Sequence, residues 1–371
     1  MRVKLSDVTK YLKGTQINGD DLIENGEYIY LNGGINPSGR WNAANVKGNT
    51  VTISEGGNSS GYVNYVTEPF WCGAHCYYLF DGPKNTKYLY YALKSQQERL
   101  FDIRSGACMP NIKKSDLGKF EFEFDTDEQK QSKIVSVLSK IEVVIGERKR
   151  ELELLDDLIR ARFVELFGDV ENNPFSWEKT KIGAVIQSCE AGWSGNGAQR
   201  EKRDGEVAVL KVSAVTKGYF IPEECKVLDD QRNIKKYIFP EKGDLLFSRA
   251  NTREMVGATA IVTQDYPEHI LPDKLWKIRF TDVADAYYMK YVLSSNSIRS
   301  MFSAVSTGTS GSMYNVSMEK FKSITIPLPP RELQNQFASF VEATAKSKVA
   351  VQKALDETQL LFDSLMQKYF G

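Results

Sequence analysis

The chain has 371 residues, which is too long for one ordinary hydrophobic core and fits two or three domains. Its 42% apolar and 26% charged residues are typical of a globular protein, and no apolar run approaches the ~20 residues that a membrane-spanning helix needs. Basic and acidic residues number 48 each. This balance disfavours a protein that grips DNA by charge alone, because phosphate neutralisation supplies most non-specific affinity.

Charge is nevertheless segregated along the chain. Acidic residues are dense at 147–157, whereas basic residues recur around 200–203 and 232–236. The five cysteines are odd in number and scattered, which suits a reducing compartment better than a disulfide framework. The start of the chain has no signal-peptide core, so we expect a cytoplasmic protein without a membrane anchor.

The first 168 residues divide into a mixed segment and a long helix. Residues 1–125 combine strand-like alternation, as at Val51 and Ile53, with a short helical patch at 86–101 and many glycines. From 126 the chain is rich in Glu and Gln, and its apolar residues then step by four and three, as along the seam of a coiled coil. This helix should end at Gly168, where a left-handed C-cap fits.

The remaining residues repeat this order. A polar linker rich in Asn and Pro is expected at 169–179, and it opens a second mixed segment that extends to 329 and has a helical patch at 284–302. A second long helix is expected at 330–371. Each helix of about 40 residues would be roughly 60 Å long.

The two halves of the chain form an internal repeat. Both long helices end in Phe-Gly, and an ungapped overlay places Ile134 on Phe337, Leu138 on Val341, Leu152 on Leu355, Ile159 on Phe362 and Leu166 on Tyr369. The mixed segments match more loosely, at 4–8 with 181–185, 26–32 with 205–211, 49–54 with 243–248, and 105–124 with 309–328, where Asn111 falls on Asn315. The sequence therefore predicts an α+β fold with a pseudo-two-fold repeat. Two globular domains (1–125 and 169–329) would be separated by two antiparallel helices (126–168 and 330–371) that form an intramolecular coiled coil.

Polar side chains interrupt the predicted coiled-coil seam, and we expect them to set its register. They are Arg148, Arg162, Thr344, Lys348 and Thr358. Apolar residues off the seam, such as Val144, Leu154 and Val349, are available to another subunit.

Three strings, in this order, resemble the specificity subunit of type I restriction–modification systems, and the resemblance covers essentially the whole chain. They are FVELFGDVENNPFSWEKTKIGAV at 163–185, KGDLLFSRANTREMVGATAIV at 242–262 and ITIPLPPRELQNQF at 324–337. The resemblance implies a non-catalytic subunit without a cofactor, which reads a bipartite double-stranded DNA target with one half-site for each globular domain. It further implies two adenine-methyltransferase subunits docked on the helices, and motor-nuclease subunits that join them for cleavage.

The strongest candidate for DNA readout is the loop 248–257 of the second domain. Base readout needs Arg, Lys, Asn, Gln, Ser or Thr on loops aimed into a groove. Arg249 and Arg253 suit guanine, Asn251 suits adenine, and Thr252 suits a base or a phosphate. A solvated hairpin without a DNA contact is the alternative interpretation.

Candidates in other loops are supported less directly. The first domain offers Asn58, Ser59 and Ser60 beside two glycines, although turn formation alone would explain them. The equivalent loops 104–111 and 308–315 add Arg104, Asn111 and Asn315, for which a structural Asn turn is the alternative. The segments 36–45 and 190–203 add Arg40 and Arg200. Their tryptophans, Trp41 and Trp193, are expected to pack rather than stack on bases.

Signatures of enzymes and metal sites are incomplete. The string NNPFSW at 172–177 resembles an amino-methyltransferase site but lacks its second proline, and GGNSSG at 56–61 lacks the Lys-Ser/Thr of a phosphate loop. Cys72, His75 and Cys76 lack a second ligand pair for zinc. Two alternatives to the DNA-specificity hypothesis remain open: a helical scaffold without DNA readout, and a free-standing methyltransferase or nuclease.

Overall fold

The computed structural model describes residues 1–106, 108–305 and 314–371. The candidate loop 308–315 therefore lies largely outside the described residues. The chain divides into two compact units: unit 1 contains Met1–Glu151 and Val351–Gly371, and unit 2 contains Leu152–Ala350. Each of the two long helices consequently contributes one segment to each unit.

Short strands and helices precede the first long helix. The strands are β1 (Arg2–Lys4), β2 (Lys10–Lys13), β3 (Tyr28–Leu31), β4 (Gly39–Trp41), β5 (Thr50–Ser54), β6 (Val63–Val66), β7 (Phe70–Cys72), β8 (Cys76–Phe80) and β9 (Glu121–Glu123). The helices are α1 (Leu5–Val8), α2 (Thr86–Lys94), α3 (Gln97–Asp102), α4 (Lys114–Gly118) and the long α5 (Glu128–Phe167), with a 3-10 turn at Gly19–Asp21.

The second half of the chain follows a similar order. Its strands are β10 (Lys179–Lys181), β11 (Ile186–Ala191), β12 (Gly197–Ala198), β13 (Ala208–Leu210), β14 (Cys225–Leu228), β15 (Leu245–Ser248), β16 (Ala250–Asn251), β17 (Thr259–Ile261), β18 (His269–Ile270), β19 (Leu275–Phe280), β20 (Tyr314–Asn315) and β21 (Thr325–Pro327). Its helices are α6 (Ile182–Val185), α7 (Ala286–Ser294), α8 (Asn296–Val305), α9 (Met318–Ser323) and the long α10 (Arg331–Phe370), with 3-10 turns at Val212–Val215 and Gln231–Asn233.

The two units share one sheet topology. An antiparallel sheet has the order β2-β8-β5-β6 in unit 1 and β11-β19-β15-β17 in unit 2. A two-stranded antiparallel sheet joins β1 to β9 and β10 to β21. A further sheet contains a parallel pair, β3 with β7 in unit 1 and β13 with β18 in unit 2. The predicted α+β fold with an internal repeat is therefore confirmed.

Equivalent helices pack on the equivalent antiparallel sheets. The N-cap residues of α2 and α7 are Asn85 and Asp285, whose side chains accept hydrogen bonds from backbone amides of the first turn. Such N-caps satisfy donors that the helix itself leaves unpaired. Tyr88 and Tyr288 occupy equivalent positions, because each is the third residue of its helix and is buried.

The long helices are held by apolar contacts within each unit. In unit 1, Ile134 and Leu138 of α5 share a core cluster with Met366 and Phe370 of α10. In unit 2 the rings of Phe163 and Phe337 lie 5.5 Å apart in the other main cluster. In the same unit, Lys348 of the predicted seam donates to Asp156 at 2.7 Å. The continuous coiled coil along the whole length of both helices remains a prediction.

The end of α5 has the predicted C-cap. Gly168 has a φ of +74°, and its amide donates to the carbonyl of Val164 at 2.8 Å. The expected linker beyond it forms an ordered turn, in which the indole of Trp177 donates to the carbonyl of Phe167 at 3.1 Å.

Several apolar side chains of the long helices are exposed. Val349 is 71% exposed and Leu154 is 53% exposed, and Val144 is also exposed, as expected for residues off the seam. Within the described ranges, no helix combines the length and hydropathy that a bilayer span requires.

Candidate nucleic-acid interface

A turn follows the same strand of the antiparallel sheet in each unit. We call residues 55–60 turn 1 and residues 249–256 turn 2. Each is closed at its base by one hydrogen bond of 2.8 Å, from Gly61 to Ser54 and from Gly257 to Ser248. Both glycines have a positive φ, +88° and +82°, a conformation that side chains with a Cβ rarely adopt.

A second chain segment pairs with each turn. In unit 2 the amide of Val316 donates to the carbonyl of Arg249 at 2.9 Å, and Ala250 pairs with Asn315. In unit 1 the amide of Ile112 donates to the carbonyl of Glu55, also at 2.9 Å. Here Gly56 bridges to Asn111. The structure therefore places Asn111 and Asn315 at equivalent positions, as the sequence overlay predicts.

A third segment lies beside the first residue of each turn. The amide of Glu55 donates to the carbonyl of His75 at 2.8 Å, and the amide of Arg249 donates to that of Lys274 at 3.0 Å. Glu55 and Arg249 are consequently equivalent positions, as are His75 and Lys274. In each unit, the turn, the segment paired with it and the third segment form one hydrogen-bonded backbone arrangement, which we call the platform. The platform is the same in both units, but the side chains on it differ.

Turn 2 brings together most of the candidates predicted in the second domain. Arg249 is half-buried, and its Nε donates to the carbonyl of Asp273 at 3.1 Å. The Asn251 side-chain oxygen accepts from the amide of Thr252 at 2.9 Å, which shapes the turn. Thr252 and Arg253 are exposed. With Asn315 on the paired strand, these residues form one polar surface.

Turn 1 uses some of its candidates for its own structure. Ser60 is fully buried, and its hydroxyl donates to the carbonyl of Glu55 at 2.8 Å. The sequence analysis expected Ser60 to be accessible to DNA, and its burial makes that expectation wrong. The hydroxyl of Ser59 donates to the carbonyl of Gly33 at 2.6 Å. Asn58 is exposed, and its carbonyl accepts from Arg104 at 3.5 Å. Asn58 is therefore the exposed candidate here, whereas Arg104 is half-buried and also donates to the carbonyl of Phe101 at 2.6 Å.

Two candidates outside the turns have local partners. Arg40 donates to the backbone carbonyls of Gly26 and Glu27. Arg200 makes two hydrogen bonds of 2.7 Å to the carboxylate of Glu206, and these bonds, with one from a backbone amide, lower the pKa of Glu206 to about 2. Both guanidinium groups therefore stabilise their own loops.

One group at turn 1 was missed by the sequence analysis. Lys13 Nζ lies 2.7 Å from Glu55 Oε1, and His75 Nδ1 lies 3.2 Å from Glu55 Oε2. Burial acts to raise the pKa of Glu55, but hydrogen bonds from Lys13 and His75 outweigh it and hold that pKa below its usual value. These residues are far apart in sequence. The overlay that pairs Ser54 with Ser248, extended by one residue, is the signal that would have pointed to Glu55.

The structure gives little support for a metal site at Cys72 and Cys76. Both thiols are buried. Among the described residues, no group of three His, Cys, Asp or Glu side chains is arranged to hold a metal ion.

The chain is thus a tandem repeat of one α+β unit, with a polar turn at the same place in each copy. The family model for the type I restriction modification DNA specificity domain matches residues 1–154 and 174–358. The chain therefore belongs to this family.

Curated relatives are consistent with this membership. A putative type I specificity subunit from Mycoplasma genitalium is 36% identical over 151 residues, which are 40% of this chain and 38% of that protein. A putative subunit from Mycoplasma pneumoniae is 34% identical over 42% of this chain and 40% of its own length. The MjaIX specificity subunit of Methanocaldococcus jannaschii is 24% identical over 76% of this chain and 68% of its own length. The chain thus aligns with well under half of the two Mycoplasma proteins.

Solved structures share the fold. The crystal structure of a type I S subunit from M. genitalium matches all of this chain and 96% of its own, with a TM-score of 0.64 and 20% identity. A chain from a structure of a type I restriction–modification system matches 99% of this chain and 96% of its own, with a TM-score of 0.52 and 14% identity.

Proposed function

We propose that this chain is the DNA-specificity subunit of a type I restriction–modification complex, and that each unit reads one half of a bipartite duplex target through its turn and the paired segment. The observation that carries this proposal is the repeated platform. Its backbone hydrogen bonds are the same in both units, whereas its side chains differ, with Glu55 in one and Arg249 in the other. Two different half-sites require this combination.

Turn 2 has the donors and acceptors needed for readout in the major groove. The exposed Arg253 can donate two hydrogen bonds to guanine O6 and N7, and Asn251 or Asn315 can pair with adenine N6 and N7. Arg249 and Lys274 flank these residues and are suited to phosphate contacts, which set the register of the protein on the duplex. In unit 1, Asn58, Asn111 and Arg104 occupy the corresponding surface.

We further propose that two methyltransferase subunits dock on the long helices, and that motor-nuclease subunits join for cleavage. Exposed apolar side chains on these helices, such as Val143 and Leu360, support a protein partner. A repeated sequence can offer similar surfaces to two identical partners. In this proposal the two DNA-reading domains are 1–125 and 169–329, and the two long helices that separate them are 126–168 and 330–371.

The test is selection of DNA from a library of random duplexes by the full chain, with and without the methyltransferase subunits of its source. We expect a two-part consensus with a fixed unspecified spacer, and binding that weakens steeply as salt rises. Binding of the methyltransferase without any preference among duplexes would instead favour a helical scaffold. Methyl transfer from S-adenosylmethionine by the chain alone would favour a free-standing enzyme.

Exchange of turn 2 separates the specificity subunit from the scaffold more sharply. Replacement of residues 251–255 with a Gly/Ser sequence of equal length, which keeps the buried Ala250 and Val256, should erase one half of the consensus and leave the other unchanged. A scaffold would show no change in its behaviour toward DNA. The unmodified chain, selected in parallel, is the control.

A further inference from the structure

The Glu55 carboxylate at the start of turn 1 joins two basic side chains that come from different strands. Lys13, the last residue of β2, donates to one carboxylate oxygen at 2.7 Å, and the imidazole of His75, which precedes β8, lies 3.2 Å from the other. The backbone of Glu55 is fixed at the same time by its hydrogen bonds to His75 and Ile112. The carboxylate is therefore attached to a backbone position that is held rigidly by the sheet.

Exposure differs sharply within this group. The side chain of Glu55 is 16% exposed, whereas those of Lys13 and His75 are 42% and 60% exposed. Because the Glu55 side chain is only 16% exposed and both of its oxygens contact a partner, it is poorly accessible to a cytosine amino group. Lys13 retains donors of its ammonium group beyond the one used by Glu55, and His75 has its Nε2 on the side of the ring away from the carboxylate.

Unit 2 shows what this place on the platform carries in the other copy. Because Lys13 pairs with Tyr77 as Ala191 pairs with Trp276, Ala191 is the equivalent of Lys13. Arg249 and Lys274 replace Glu55 and His75. Unit 2 therefore has two basic side chains at this position, Arg249 in the turn and Lys274 just before β19. Arg249 also donates a hydrogen bond to a backbone carbonyl.

We propose that Lys13 and His75 contact the phosphate backbone of the half-site read by unit 1, and that Glu55 is the positioning residue that holds them. In this way the two units present paired basic groups at the same edge of the sheet by different means. The inference rests on the proposed DNA-reading function and names the residues that grip DNA in unit 1. A purely structural ion pair is the competing interpretation.

The direction in which Glu55→Gln changes DNA affinity distinguishes the positioning role from a purely structural ion pair. Removal of a carboxylate beside DNA lowers repulsion, so charge alone predicts that Glu55→Gln tightens binding. A positioning role predicts the opposite, because the amide no longer holds both basic groups. With the selected duplex and the full chain in complex with its methyltransferase subunits, we expect Glu55→Gln to weaken binding about 5- to 20-fold. The exposed carboxylate Glu68 of the same unit supplies the matched control, and Glu68→Gln should leave binding unchanged or slightly tighter.

The dependence of affinity on salt gives the second readout. Lys13→Gln should weaken binding and reduce the slope of log K against log salt by about one, since one phosphate contact is lost. A duplex whose unit 1 half-site is scrambled should show about the same fold difference between the unmodified and Glu55→Gln proteins, since phosphate contacts do not depend on base sequence. Thermal midpoints establish that each variant is folded. If Glu55→Gln does not fold, Lys13→Gln alone decides through its salt slope.

Tighter or unchanged binding by Glu55→Gln, or an unchanged salt slope in Lys13→Gln, would overturn the inference. Failure of the proposed function looks different. In that case the unmodified protein selects no bipartite target, and no variant can be compared.

Discussion

The backbone amide of Val316 donates a hydrogen bond of 2.9 Å to the carbonyl oxygen of Arg249. This bond joins turn 2 to the segment that leads into α9, so the backbone of Arg249, the first residue of the turn, is fixed in position. Substitutions within the turn should therefore change the chemistry of the surface without moving its platform. The predictions for DNA readout depend on this rigidity.

Substitution of Arg253 should relax specificity at one base pair. Arg253 is exposed on turn 2, and a bidentate contact with guanine is worth about 1–3 kcal/mol of discrimination. Competition between the selected duplex and single-base variants of it measures the effect of Arg253→Ala. Arg200→Gln is the matched control and should preserve discrimination, because Arg200 is held by Glu206. The reverse pattern would place the readout at 200 instead.

Gly257 should resist substitution more strongly than a glycine with open space around it. A Cβ at Gly257 would lie 2.4 Å from the ring of Phe302, in addition to the strain of its positive φ. Gly205 has a φ of +78° and no heavy atom near its missing Cβ, so Gly205→Ala isolates the backbone strain. We expect Gly205→Ala to cost about 1 kcal/mol and Gly257→Ala clearly more. Chemical denaturation followed by a probe in unit 2 would measure both, and equal losses would contradict the structure.

The buried carboxylate of Asp244 should be essential for unit 2. It accepts hydrogen bonds from Arg279 at 2.7 Å and from the amide of Glu241 at 2.7 Å, and it lies 3.1 Å from the ammonium of Lys277, which is only 7% exposed. Asp244→Ala leaves the buried Lys277 with Glu241 as its remaining acidic partner. Because complete loss of one member of a buried pair costs about 3–5 kcal/mol, we expect a loss toward the lower end of that range.

The double variant Asp244→Ala, Lys277→Met is the control for this prediction. It removes the buried ammonium group together with the Asp244 carboxylate, so it should recover part of the lost stability. A double variant less stable than Asp244→Ala would show that Lys277 contributes mainly through other contacts.

The Arg200–Glu206 pair should make stability depend on pH in the acid range. Hydrogen bonds from Arg200 lower the pKa of Glu206 to about 2. A carboxyl group whose pKa is depressed by folding stabilises the native state above its unfolded pKa, and this contribution disappears as pH falls through the folded value. Glu206→Gln should therefore lower the thermal midpoint near neutral pH. The difference from the unmodified protein should shrink from about pH 4.5 down to about pH 2. A difference independent of pH would exclude the ion pair as its cause.

Repetition made much of the fold predictable from the sequence. The overlay of 49–54 on 243–248 correctly identified β5 and β15 as equivalent strands. The overlay of Asn111 on Asn315 correctly identified the segments that pair with the two turns. Gly168 ends α5 as predicted, because glycine at a helix end is a local signal. The helical patch expected at 86–101 is divided into two helices, with a break at Ser95 and Gln96 that periodicity alone does not reveal.

The side-chain contacts at the site were much less predictable. The burial of Ser60 depends on the closing of turn 1, and its residue type fits an exposed turn equally well. The group formed by Lys13, Glu55 and His75 joins residues from three separate segments. Local sequence patterns carry no information about such contacts, since only the folded sheet brings these segments together.

The closing hydrogen bonds of the two turns have an evolutionary consequence. Turn 2 is two residues longer than turn 1, yet the Gly257–Ser248 and Gly61–Ser54 bonds have the same length. Insertions and deletions between these anchors are therefore compatible with an unchanged strand register. If the turns read DNA as proposed, a lineage can acquire new target preferences by exchanging this short cassette in one half of the gene, while the rest of the protein is inherited intact.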